Sequence, residues 1–196
     1  MNYPESISKE ELQGLPLLTF QGKIHLIEDN ATAKQCIKSL SKAAVLGFDT
    51  EKKPTFHKGS YHPTALVQLS THEEAFLFRI NKIGIPAGLI SIFEDQKIKK
   101  VGVSIRDDVQ ELQKVTEFKP GGFVELIDIT QSIGIKKSGV RNLSGIFLRQ
   151  RVSKNQQTSN WENEILTKAQ QLYAAADAWV PYTIYTMLDS KGFVYN

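Results

Sequence analysis

The sequence predicts a mixed α/β fold, a mixed sheet packed by helices. Two observations predict it. Short apolar runs rich in β-branched residues come first as successive hairpin strands, and later strands alternate with longer segments whose apolar residues recur at helical spacing. With 196 residues the chain can bury one sizeable core, and no Gly/Ser linker, Pro-rich stretch or internal repeat divides it, so residues 1–196 are expected to form one domain.

The elements follow in order. The start, MNYPESISKEELQGLP, is acidic and polar, unlike a secretory signal, and Ser8 followed by Glu11 has the form of a capping box that opens a short helix. A strand is expected near 23–27, then a helix over 31–41 carrying the single cysteine, Cys36, as a small buried residue. The run AAVLGFDT is apolar and β-branched enough for a buried strand over 44–49. Strands near 65–70 and 75–79, a helix around 87–93, a strand at 99–103 and a helix bearing Asp108 come next. After a strand at 124–126 the rest reads as helical, near 128–133, 142–149 and 167–188. Pro181 falls inside the last helix and removes the hydrogen bond to the carbonyl of Asp177, so a kink is predicted just beyond that acid.

Acidic residues carry the candidate chemistry. On a strand, alternate side chains share a face, so Asp49 and Glu51 in GFDTEKKP converge where the strand ends while Thr50 points oppositely. Oxygen ligands with no Cys or His beside them suit Mg²⁺ or Mn²⁺ better than zinc, and no CxxC or HExxH motif offers a zinc site. In the final helix Ala169, Leu172, Ala176, Val180 and Ile184 form an apolar stripe, and Tyr173 and Asp177 fall together on its edge, one turn apart. In the helix after KKVGV, Ile105, Val109 and Leu112 make the buried stripe. Asp108 borders that stripe whereas Asp107 projects nearly opposite, so Asp108 is the better ligand candidate.

Together these segments resemble the 3′-to-5′ exonucleases of the DEDD type in their tyrosine subfamily, which includes RNase D, the proofreading domain of some polymerases and the exonuclease domain of the Werner-syndrome helicase. The resemblance runs from about Ile24 to Leu188 through VLGFDTE, HPTALVQLS, AFLFRI, KKVGVSIRDD, FVELIDIT, TSNWE and LTKAQQLYAAADAW, in that order. It implies the ribonuclease H-like fold, a five-stranded sheet whose second strand runs antiparallel to the others. It assigns Asp49 and Glu51 to the first motif, Asp108 to the second, and Tyr173 with Asp177 to the third. Leu172 stands where the sister subfamily has a histidine. The activity implied is 3′-5′ hydrolysis of phosphodiester bonds, in DNA in the first instance, with release of nucleoside 5′-monophosphates. Two divalent cations about 4 Å apart serve such chemistry by activating water and neutralising the leaving oxygen. In the implied arrangement Asp49 bridges both ions, Glu51 and Asp177 complete one site, Asp108 holds the other, and Tyr173 orients the water. Lys52 stands where helicase-type members carry an apolar residue, and Asp107 adds charge beside the second motif.

Formal net charge is only +3, but from Ile129 to Trp161 there is no acid while Lys136, Lys137, Arg141, Arg149, Arg151 and Lys154 are basic. Arg141, Arg149 and Arg151, with Lys52, Lys53 and Lys58 after the first motif, are the candidate nucleic-acid contacts. His25, His57, His62 and His72 show no ligand spacing. No apolar run is long enough to span a membrane, so a cytoplasmic, intracellular protein is expected. Processivity and recruitment are expected to come from a partner, a helicase or another repair or processing protein, or to be absent. A catalytically weak binder of nucleic acid or protein on the same fold, and an RNase D-like exoribonuclease, are the alternatives. Retention of all five motif residues favours the enzyme.

Overall fold

The computed structural model describes residues 3–55 and 59–194. Its strands are β1 (Lys23–Ile27), β2 (Val45–Lys52), β3 (Thr64–Ser70), β4 (Glu74–Phe78), β5 (Lys99–Gly102) and β6 (Phe123–Glu125). The helices are α1 (Lys9–Gly14), α2 (Asn30–Leu40), α3 (Ile80–Ile83), α4 (Ala87–Glu94), α5 (Arg106–Val115), α6 (Leu126–Ser132), α7 (Val140–Leu143) and α8 (Lys168–Ser190), with a π-helical turn, Ser144–Leu148, after α7.

Local chemistry sets several of these boundaries. Ser8 and Glu11 form the expected capping box of α1, and Thr167 and Gln170 form another at the start of α8. The side chain of Asp29 caps α2 by accepting from the Thr32 amide. Arg149 ends the π-helical turn with a left-handed backbone, φ 54°.

The strands form one sheet in the order β1-β4-β3-β2-β5-β6. β3 pairs antiparallel with both β2 and β4, and every other pairing is parallel. The antiparallel second strand of the implied five is therefore present as β3. The sheet has a sixth member, β1, which corrects the count of five: Lys23–Ile27 adds to the outer edge of β4. Helix α3 is a further element the sequence reading did not contain, a single turn begun by the buried Ile80.

Every residue of β3 is buried because the sheet is covered on both faces. On one face Leu46 and Phe48 of β2 pack with Phe93 of α4 and with Val109 and Leu112 of α5. On the other, Val101 of β5 joins Leu126, Leu143, Val180 and Ile184, so α8 lies across the sheet centre. Gly47 permits that close approach: a Cβ there would lie 1.9 Å from the Ala178 carbonyl oxygen and 2.4 Å from Ser70 Oγ. Helix α8 is uninterrupted across Pro181, and Asp177 stays beside the sheet. Cys36 is buried, as expected.

Candidate active site

β2 is central in the sheet, and its C-terminal end delivers the first acids. Even-numbered residues of β2 face α5 and odd-numbered ones face α8, so Asp49 and Glu51 point toward Asp177. The register of β2 on β3 shifts between Glu51 and Lys52, a bulge that ends the alternation at the site. One carboxylate oxygen from each of Asp49, Glu51 and Asp177 lies within 4.8 Å of the others. Tyr173 stands one turn before Asp177 on α8, and the charge of Asp177 acts on its hydroxyl. The fully buried Trp161 backs the tyrosine, with ring centroids 6.1 Å apart.

Asp108 takes a different position. It stands on the Thr50 face, where Thr50 Oγ1 donates to Asp108 Oδ1 at 2.5 Å, and it is not part of the three-carboxylate cluster. Its charge nevertheless acts on both Asp49 and Glu51. Asp107 is exposed whereas Asp108 is half-buried, the difference in facing that the helix stripe implies. The turn that aims α5 is held by Glu125, whose carboxylate accepts from the Ser104 and Ile105 amides at 2.9 Å each. Ser104 sits in the left-handed region at φ 62°. Nothing in the local sequence marks Glu125 for this task, because its partners lie about 20 residues upstream.

Asp49, Glu51, Tyr173 and Asp177 line an open cleft of about 490 Å³. Arg141, Asn142, Ser153, Lys154 and Gln157 line the same cleft. The basic block is thus divided by the fold. Arg141 and Lys154 reach the cleft, whereas Lys136 pairs with Glu5 and Arg151 donates through Nε to the Leu15 carbonyl. That bond and the bridge between Leu17 and Arg151 tie Arg151 to the backbone before β1. Arg149 is exposed outside the cleft, and Lys53 pairs with Glu162 at 3.5 Å. Burial raises the Asp108 carboxyl above its ordinary range, against the Thr50 hydrogen bond and the charge of the exposed Lys52. Lys58 and His57 lie outside the described residues. Sequence reasoning also missed Arg79, wholly buried, which binds Glu28 at 2.9 Å and the backbone carbonyls of Asn163 and Glu164. It fixes the segment between Trp161 and α8.

The cluster is electrostatically unfavourable by itself. Burial, then the charges of Asp177 and Asp108, raises the Asp49 carboxyl well above its ordinary range. Burial and the neighbouring acids push Glu51 up to about 10, and burial pushes Asp177 up to about 7 although the nearby Tyr173 hydroxyl acts the other way. Burial and the same acids raise Tyr173, which therefore stays a protonated donor at neutral pH. An oxygen-only donor set whose charges repel one another fits a hard divalent cation.

A pH dependence of stability follows. The folded carboxyls of Asp177 and Glu51 have pKa values above their unfolded ones, so the folded state binds more protons; that stabilisation is complete below about pH 4 and is lost as pH rises through about 7 and then about 10. In chelator the protein is expected to melt at lower temperature on going from about pH 5 to about pH 9, with roughly 2–4 °C lost per kcal/mol. Manganese should restore the loss at the upper end. Thermal melts across pH check this, and a flat profile in chelator contradicts it.

A mixed sheet of this order, covered by helices on both faces, is the ribonuclease H-like fold. A family model described as 3′-5′ exonuclease matches residues 24–192, and the chain belongs to that family. It is 33% identical over 189 residues to the bifunctional 3′-5′ exonuclease/ATP-dependent helicase WRN of Mus musculus, covering 91% of this chain and 13% of that protein. The chain spans less than half the length of that protein and of two further curated relatives, 13%, 40% and 25% respectively. The Aedes aegypti Nibbler EXO domain superposes with a TM-score of 0.79 at 21% identity, covering 89% of this chain and 92% of that one. Escherichia coli RNase D, described as an exoribonuclease involved in structured RNA processing, superposes with a TM-score of 0.75 at 21% identity, covering 87% and 46%. These two structures share the fold. Among the described residues no helix is long and apolar enough to cross a membrane.

Proposed function

We propose that this chain hydrolyses nucleotides one at a time from the 3′ end of DNA, releasing nucleoside 5′-monophosphates. The observation that carries the proposal is the convergence of Asp49, Glu51 and Asp177 within 4.8 Å at the cleft. These three carboxylates would hold Mg²⁺ or Mn²⁺, and Asp108, steadied by Thr50, would be a ligand for a second ion. Bound there, the ions supply Lewis-acid activation of water and charge neutralisation at the leaving oxygen.

The remaining work belongs to the protein. Tyr173 keeps its proton and positions water by hydrogen bonding, because a phenol with a raised pKa is a donor and not a base. Arg141 and Lys154 line the same cleft as the acids and take the phosphate oxygens of the strand. The likeness to WRN, a named exonuclease/helicase, supports DNA; the shared fold with RNase D supports RNA as the second reading.

Matched 5′-labelled DNA and RNA oligonucleotides, single-stranded and recessed, test both readings with Mg²⁺ or Mn²⁺. A ladder that shortens from the 3′ end, faster on DNA, is expected. Faster shortening of RNA would select the second reading, and a shifted but uncut oligonucleotide with either metal would contradict hydrolysis.

A further inference from the structure

Gln68 lies on β3 directly opposite Asp49 of β2. Paired residues of an antiparallel ladder share a face, so the two side chains emerge side by side beneath α8. Gln68 is 0% exposed, and neither its Oε1 nor its Nε2 has a hydrogen-bond partner. An unpartnered buried carboxamide is costly, and a thioether or alkyl chain of similar size would fill the same space without that cost. Its cross-strand neighbour on β4 is Leu77, and the residue two before it on β3, on the same face, is Leu66. The charged group beside it is the Asp49 carboxylate.

We propose that Gln68 is the positioning residue for Asp49: in the cation-loaded site its carboxamide N–H donates to the inner carboxylate oxygen and so fixes which oxygen faces the cleft. The inference rests on the reading of Asp49 as a cation ligand. Outer partners of ligating carboxylates orient them in this way, and losing one weakens metal affinity by about 10- to 100-fold.

The test is manganese affinity, measured by electron paramagnetic resonance on the folded wild type, Gln68→Met and Ser70→Ala. Gln68→Met keeps length and bulk but donates no hydrogen bond. It is expected to melt in chelator at or above the wild-type temperature, yet to bind Mn²⁺ about 10- to 100-fold more weakly. Ser70→Ala, at the adjacent same-face position opposite Gly47, should bind as the wild type does. Unchanged affinity in a folded Gln68→Met overturns the proposal, and so does an equal loss in Ser70→Ala, which would mark general loosening of the sheet. If Gln68→Met does not fold, Gln68→Leu takes its place, and failure of both would show a structural amide and overturn the proposal as well. A wild type that does not bind Mn²⁺ refutes the cation reading itself, a result distinct from all of these.

Discussion

Asp177→Asn is expected to abolish 3′-end shortening, by roughly a thousandfold or more, while making the protein harder to melt in chelator. The two effects have one cause. Asp177 is 7% exposed, and its charge acts on Asp49, Glu51 and Tyr173. A neutral amide of the same shape removes that repulsion but cannot supply an anionic ligand. The activity loss is the several kcal/mol of transition-state charge stabilisation that a metal site provides, about tenfold per 1.4 kcal/mol. The stability gain near neutral pH is at most about 4 kcal/mol, at ~1.4 kcal/mol per pKa unit, since a carboxyl raised to about 7 costs free energy to ionise in the fold. Oligonucleotide assays and melts on one preparation check both signs. A variant that lost activity and stability together would point to misfolding instead.

Gly47→Ala should do the opposite damage, through the backbone. An added methyl would meet the Ala178 carbonyl oxygen at 1.9 Å, and a helix backbone cannot yield as a side chain does. Helix α8 must lift from β2, and Asp177, the residue before Ala178, lifts with it. A destabilisation of about 1–3 kcal/mol is expected from overpacking, with weakened Mn²⁺ binding because the carboxylates separate. Melting and manganese titration measure it; a variant indistinguishable from wild type in both would show that the approach at Gly47 is not needed to gather the acids.

The acids were legible in the sequence because each relied on a short-range period. Alternation along β2 put Asp49 and Glu51 on one face and Thr50 on the other, and the helical repeat set Tyr173 beside Asp177. The same repeat separated Asp108, turned inward to Thr50, from the exposed Asp107. What periodicity could not reach depends on distant pairings. The edge position of β1 is set by its pairing with β4, some 50 residues away. Arg141 and Arg151 look alike in a basic run, but one faces the cleft and the other is tied to the Leu15 carbonyl, 136 residues upstream. Gln68 reads as an ordinary strand residue until the register places it against Asp49.

The most direct test of a cation site built from Asp49, Glu51 and Asp177 is anomalous scattering from crystals grown with Mn²⁺. A peak between these three carboxylates, absent in Asp177→Asn crystals, is the expected result. An empty cleft at saturating manganese, in crystals of a protein that still shortens oligonucleotides, would contradict it.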